Sequence, residues 1–372
     1  MGQNQVPTVA IVGSGPSGCY TAQFLRKRFP DAQITIFDRL PMPYGLVRFG
    51  VAPDHAGTKA VTQQFDRLFE RDGVKFVGSI EVGKDKSLEE LRAEFDVVVL
   101  ATGLSADRQL GIPGEEKNGV YGSGRITRLI NGHPDESLEG IQLGERVVIV
   151  GQGNVAMDLI RLSLTHPEEL AGVGVDREVA DLIAHSMLKQ IDVVGRSEIS
   201  DAKFDVAMVK ELGKIADVRF TSDAPILGEE GDPETQKRID AINTLVDNSP
   251  VTAGRVVNFH FGWVPSEING EQHVSEAIFT AKHTGERKAL PADAIYTAIG
   301  FTEAEAAAVK RDAHISEITD LETGRLAQGL YCVGWLRRGP RGTIPANRAD
   351  AKMVSEAIIE DFENNQLEKV TV

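Results

Sequence analysis

The stretch Val9–Leu25, VAIVGSGPSGCYTAQFL, decides the fold. Four apolar residues, Val9-Ala10-Ile11-Val12, run directly into Gly13-Ser14-Gly15-Pro16-Ser17-Gly18, and a helix-compatible apolar segment follows. This is the strand–turn–helix fingerprint of dinucleotide binding. Gly13 allows the tight turn, Gly15 lets backbone approach a pyrophosphate, and Gly18 lets the helix pack close to the sheet. The helix N-terminus offers free N–H groups and the positive end of its dipole to phosphate. A second apolar run, Ile34-Thr35-Ile36-Phe37, ends at Asp38, twenty residues beyond Gly18, where a ribose-binding carboxylate is expected.

The fingerprint recurs. Val147-Val148-Ile149-Val150 leads into Gly151-Gln152-Gly153-Asn154-Val155-Ala156, a GxGxxA variant. Ile191–Val194 then leads to Gly195-Arg196, at the position where a carboxylate would select a ribose diol and an arginine a 2′-phosphate. Each copy is followed later by a β-run with a similar ending: Val97–Leu100 before Ala101-Thr102-Gly103, and Ala294–Thr297 before Ala298-Ile299-Gly300. The duplication predicts an α/β fold of two Rossmann-like domains, one inserted into the other.

Between these landmarks, residues 41–55, PMPYGLVRFGVAPDH, read as a rigid loop, and 59–71 as an amphipathic helix carrying Val61, Phe65, Leu68 and Phe69. Lys75–Val77 and Ile80–Val82 carry short β signals. Ser87 with Glu90 forms a capping-box pattern. Residues 105–145 read as a linker and 167–190 as a helical insertion. In the uninformative 213–290 region, Pro233–Asn248 reads as a helix, and 256–261 with 273–282 as a β-ribbon or small sheet. A closing helix is expected over 346–364, with Pro345 in its first turn.

The 372 residues are 41% hydrophobic and 26% charged, with a net charge of −15. Such a charge opposes nonspecific nucleic-acid binding. No apolar stretch approaches the roughly 18–20 residues that span a bilayer, and the polar MGQNQVPT start has no leader pattern, so no membrane insertion and a cytoplasmic location are expected. Cys19 and Cys332 form no CxxC, which argues against a redox-active disulfide or a multi-cysteine cluster. No metal site is expected.

The stretches VGSGPSGCYTAQFL (12–25), PYGLVRFGVAPDH (43–55), IPGEE (112–116), GQGNVAMDLIR (151–161), VGR (194–196) and YCVGWLRRGPRGTI (331–344) together resemble the adrenodoxin-reductase-like ferredoxin–NADP(+) reductases. The resemblance implies an FAD domain over 1–104 and 301–372 and an NAD(P) domain over 105–300. It implies an oxidoreductase that takes hydride from NADPH at flavin N5 and passes single electrons to ferredoxin or a similar acidic iron–sulfur protein. FAD would lie along Gly13, Gly15, Pro16, Ser17 and Gly18, with Asp38 on the adenosine ribose, Val82 near adenine, and Leu46, Trp335, Gly342, Thr343 and Ile344 around the ring. His55 would sit beside the flavin in a proton or redox-tuning role. Gln152, Gly153, Asn154 and Val155 would hold the nicotinamide dinucleotide's pyrophosphate, Arg196 and Ser197 would flank its 2′-phosphate, and its nicotinamide would stack near Gly342.

The chain departs from the family pattern in four places. The usual Gly-Arg-Arg is Gly195-Arg196-Ser197, followed by Glu198, which keeps NADH open as donor. The family glutamate of the next helix falls on Met208, with Glu211 one turn away. The usual Gly-Pro-Thr-Gly is Gly339-Pro340-Arg341-Gly342. The sequence also stops before the family's usual longer C-terminal segment. Arg26, Lys27 and Arg28, and Arg337, Arg338 and Arg341, are candidate docking cations. Two other readings stay open: an NAD(P)H oxidase or diaphorase with a non-ferredoxin acceptor, and a nucleotide-binding sensor with structural FAD.

Overall fold

The computed structural model describes residues 6–223, 232–304, 307, 320, 322–364 and 367. The chain divides into two compact units. One comprises Met1–Val51, His55–Ala106 and Phe301–Val372; the other comprises Ala52–Asp54 and Asp107–Gly300.

The first unit is built on a six-stranded sheet in the order Arg325–Ala327, Leu330–Cys332, Val97–Leu100, Thr8–Val12, Gln33–Phe37, Lys75–Val77. All neighbours are parallel except the Arg325–Ala327 edge. Every residue of Val97–Leu100 is buried, as a parallel strand covered on both faces requires. The fingerprint helix Pro16–Arg28 and the closing helix Ile344–Glu363 cover one face, in a core with Tyr20, Leu25, Phe65, Val354 and Ile358. The other face packs Leu91, Leu100, Cys332 and Leu336. The Ser87 capping box forms in full: Ser87 Oγ accepts from Glu90 N at 3.0 Å and Glu90 Oε2 accepts from Ser87 N at 2.7 Å.

The second unit repeats the plan. Its sheet is wholly parallel, in the order Val120–Gly122, Ala294–Thr297, Arg146–Val150, Gln190–Gly195, Arg255–Phe261, Val218–Ser222. In both sheets the fingerprint strand lies between the strand that follows it and the strand ending in Ala-x-Gly. Backbone bonds repeat as well: Gly13 N donates to Phe37 O and Gly151 N to Val194 O, both at 2.8 Å, while Ala101 N and Ala298 N return to Val12 O and Val150 O at 2.7 Å.

Four expectations need correction. Residues 105–145 are more than a linker, because they supply the Val120–Gly122 strand and the Ser123–Ile130 helix. Residues 256–261 are not a ribbon but an inner parallel strand, buried at Val257, Phe259 and Phe261. Only Glu276–Ala281 belongs to a small antiparallel sheet, with Trp263–Asn269 and Arg287–Pro291. The 41–55 loop contains a helical turn, Leu46–Phe49. Val82 lies outside any strand and makes a lone bridge to Lys86.

Candidate dinucleotide sites

Each fingerprint glycine occupies a place where a side chain is either impossible or conspicuously unopposed. Gly13 has φ +109°, and a Cβ there would lie 2.4 Å from the Ala101 carbonyl oxygen. Gly151, with φ +123°, stands in the same relation to Ala298, at 2.2 Å. A Cβ on Gly18 would lie 2.0 Å from Gly13 O, which fixes the helix against the turn. A Cβ on Gly15 or Gly153, by contrast, would meet no protein atom within 4 Å. These two glycines are the N-caps of the Pro16–Arg28 and Asn154–Leu164 helices, and neither helix has a side-chain cap. Pro16 at the first helical position has no N–H to leave unpaired. Uncapped helix N-termini behind open glycines are built for phosphate, so both cradles fit a dinucleotide's pyrophosphate.

In the first unit, Asp38 ties the fingerprint turn to the end of its strand. Its Oδ2 accepts from Ser14 N at 2.8 Å and from Ser14 Oγ at 2.5 Å, and its Oδ1 accepts from Leu40 N at 2.9 Å. Its backbone carbonyl accepts from Ile80 N at 2.9 Å, bringing the segment that carries half-buried Val82 alongside. Ser14 in turn holds the following loop, its carbonyl accepting from Tyr44 N at 3.1 Å. Tyr44 is strained at φ +93° and anchored by its hydroxyl on Asp66. That anchoring sets Gly45 against Gly15, where a Cβ on Gly45 would lie 3.2 Å from Gly15 Cα. Leu46 then opens the short helical turn, half-buried, and His55 opens the turn Ala56–Lys59.

The closing segment reaches the same helix N-terminus. A Cβ on Gly334, at φ +75°, would lie 2.2 Å from Ser17 Oγ. Gly334 N donates to the buried Asp350 at 2.6 Å. Trp335 stacks on Phe301 with centroids 5.7 Å apart, and Gly342 takes φ +87°. Thr343 caps the 20-residue closing helix with no side-chain bond, and Ile344 begins it. Arg337 and Arg338 do not form the free basic surface expected of them: both pair with Asp350, whose carboxylate is buried. Of that group only Arg341 is exposed. Arg28 pairs with Glu363, and Arg26 donates to Pro30 O at 2.6 Å.

In the second unit, the Gln152 side chain fills the space left by Gly195, where a Cβ would lie 2.0 Å from Gln152 Oε1. Its Nε2 donates to His260 O at 2.8 Å and to Val193 O at 3.4 Å, joining the fingerprint turn to two neighbouring strands. Among the described residues its buried Oε1 has no donor. Asn154 Oδ1 accepts from Asp205 N at 2.8 Å, and Val155 is half-buried beside the core. Arg196 is exposed at the end of its strand, with Ser197 half-buried next to it.

Two polar clusters in this unit were not legible as such. The first is a hub on Arg161, at the end of GQGNVAMDLIR, whose guanidinium meets Asp54, Asp158 and Glu211. The second supports Gln152. His260 Nε2 lies 3.0 Å from Asp192 Oδ1, and Nδ1 lies 3.0 Å from Asp223 Oδ2; Lys288 Nζ and Trp263 Nε1 reach Asp223 Oδ2 at 2.9 and 3.1 Å. Burial opposes charge on His260, but its bonds to Asp192 and Asp223 outweigh it and raise the pKa above 6.5. Burial also opposes the Asp223 charge, yet His260 and Lys288 push its pKa down to about 2.

The linkage signs differ. The His260 contribution to stability is full below 6.5 and lost as pH rises through its raised value. The Asp223 contribution is full above 3.8 and lost as pH falls through about 2. A His260→Gln variant should therefore lose the most Tm relative to wild type between those two limits, with the gap narrowing in alkali. A gap that stays constant in scanning calorimetry from about pH 5 to 9 would show that the imidazolium contributes nothing.

Two phosphate cradles on duplicated parallel sheets define a two-dinucleotide oxidoreductase. Residues 7–202 match the family described as Pyridine nucleotide-disulphide oxidoreductase. The chain is 46% identical over 360 residues to cindoxin reductase of Citrobacter braakii, covering 95% of this chain and 78% of that one. It is 32% identical to the human mitochondrial NADPH:adrenodoxin oxidoreductase, over 97% of this chain and 80% of that one. The solved structure of Mycobacterium tuberculosis FprA in complex with NADPH matches with a TM-score of 0.88 and 28% identity, covering 99% of this chain and 88% of that one. The chain belongs to the pyridine nucleotide-disulphide oxidoreductase family, within its branch of adrenodoxin-reductase-like ferredoxin–NADP reductases. Cys19 and Cys332 are both buried, and no disulfide joins them. No described helix is long and apolar enough to cross a membrane.

Proposed function

We infer that the chain is an FAD-dependent NADPH:ferredoxin-type oxidoreductase, with FAD on the first unit and NADPH on the second. The carrying observation is the doubled cradle: Gly15 and Gly153 are both unopposed at uncapped helix N-termini. A bound flavin would supply two-electron hydride acceptance and one-electron release, which suits a one-electron iron–sulfur acceptor.

The residues of this chain bind and orient. Ser17 and Gly18 offer backbone N–H groups to the FAD pyrophosphate at the helix start. Asp38 keeps lone-pair capacity for a ribose hydroxyl while it fixes Ser14. Leu46, Trp335 and Gly342–Ile344 give the ring an apolar and aromatic border, and the N-terminus at Thr343 favours negative charge on it. His55 takes the flavin-side proton or redox-tuning role in this reading. On the second unit, Gln152, Gly153, Asn154 and Val155 take the pyrophosphate along the turn, and Arg196 supports the 2′-phosphate. The acceptor is an acidic iron–sulfur protein, met by the exposed Arg341. Two buried cysteines with no disulfide between them support a cytoplasmic location.

Anaerobic stopped-flow mixing with NADPH and NADH tests the reading. NADPH should bleach the flavin band within one turnover and should be preferred over NADH, and cytochrome c reduction should depend on added ferredoxin. Unbleached flavin with either nucleotide would overturn the assignment. Full cytochrome reduction without an iron–sulfur protein would replace the acceptor.

A further inference from the structure

The turn that closes the Gln190–Gly195 strand, Arg196-Ser197-Glu198, is stitched to the small antiparallel sheet. Ser197 O accepts from Gly262 N at 3.1 Å, and Gly262 O accepts from Lys282 N at 2.8 Å. Lys282 and His283 begin the hairpin between Glu276–Ala281 and Arg287–Pro291 and are both exposed. Glu198 Oε1 lies 3.4 Å from His283 Nε2. The same oxygen occupies the space above Gly262, where a Cβ would lie 2.4 Å from it, and Gly262 has φ +77°. The carboxylate that follows Arg196-Ser197 in the sequence is thus engaged by the hairpin, over a residue that only glycine suits. Arg196, by contrast, is exposed.

We propose that the 281–286 hairpin is the specificity device of the nucleotide site: His283 holds Glu198 over Gly262, so that Arg196 meets a 2′-phosphate without a competing carboxylate. This rests on the NADPH reading of the second unit. Sequence order alone sets Glu198 two residues from Arg196, where its charge would repel a phosphate and suit a ribose diol. The hairpin reverses that consequence. Lys282, exposed beside His283, also restores positive charge at the edge where Ser197 stands in place of a second arginine. His283 is exposed and contributes to no core, so its removal leaves folding intact, and its effect falls on Glu198.

The test uses the flavin-loaded enzyme and two readouts. The first is the ratio of kcat/KM for NADPH to that for NADH. The second is calorimetric affinity for adenosine 2′,5′-bisphosphate against adenosine 5′-monophosphate, which isolates the 2′-phosphate. His283→Ala should lower the ratio roughly 1.5- to fivefold, the range expected of an exposed polar pair, chiefly through KM. It should weaken the bisphosphate equally and leave the monophosphate unmoved. Adding Glu198→Gln should restore both to wild-type values or above. An unmoved ratio in His283→Ala, or a loss that Glu198→Gln does not rescue, overturns the proposal. Arg196→Ala separates this from the underlying reading: if it too leaves bisphosphate binding intact, the 2′-phosphate site itself is misplaced.

Discussion

Gly15→Ala should give a folded protein that retains less flavin than wild type through purification. The variant is informative because the protein itself has no objection to the methyl group. Gly15 has φ −66° and ψ 179°, ordinary extended backbone, and a Cβ there meets no protein atom within 4 Å. Only a ligand pressed against the turn can clash with it. A forced overlap of this kind costs about 1–3 kcal/mol, or roughly 5- to 150-fold in FAD affinity. The 450-to-280 nm absorbance ratio after gel filtration should fall while Tm of the apoprotein stays within about 1 °C of the wild-type apoprotein. Gly18→Ala is the contrasting control. Its Cβ would lie 2.0 Å from the Gly13 carbonyl oxygen, so the helix must shift from the strand and the fold itself should weaken. A Gly15→Ala protein as yellow as wild type would mean that the pyrophosphate does not lie on this turn.

How far the sequence reached depended on whether a feature was local. The duplicated fingerprints were legible because a turn with positive φ, a close helix and a phosphate cradle each demand glycine at a fixed spacing. The structure repeats them down to the Ala101 and Ala298 backbone bonds. The capping box of Ser87 and Glu90 was legible for the same reason. Residues 105–145 read as a linker because Gly, Pro and charge mask a three-residue strand and an eight-residue helix, too short for periodicity to show. Arg255–Phe261 alternates like a half-exposed ribbon because Asn258 and His260 face a polar cluster inside the unit, Asn258 reaching Asp192 at 2.9 Å. Burial by pairing looks like exposure in a one-dimensional pattern. Arg337 and Arg338 misled in the same way: a basic pair suggests a docking surface, yet Asp350, far enough along to sit in another element, neutralises both.

Arg161→Met should strongly destabilise the second unit. The side chain is about 10% exposed, and its three nitrogens face three different carboxylates: Nη1 meets Asp54, Nη2 meets Asp158 at 2.7 Å, and Nε lies 3.5 Å from Glu211. Methionine preserves the apolar stem but leaves three acids around a vacated cation. Removing one partner of a buried pair costs about 3–5 kcal/mol. Because Asp54 and Glu211 are themselves 28% and 38% exposed, solvent screening reduces this to about 2–4 kcal/mol. For a unit of this size the loss is roughly 5–15 °C in Tm. Arg161→Lys should fall between, since a single ammonium cannot present three nitrogens in a fixed plane. Adding Asp54→Asn to Arg161→Met should recover part of the loss, a coupling that a double-mutant cycle reads directly. If Met and Lys variants melt alike and Asp54→Asn recovers nothing, the hub is packing rather than charge. The same helix, Asn154–Leu164, begins at the open Gly153 cradle. Loosening its far end should therefore also weaken the dinucleotide, and at temperatures below the new melting transition the loss should fall on KM for NADPH before it falls on kcat.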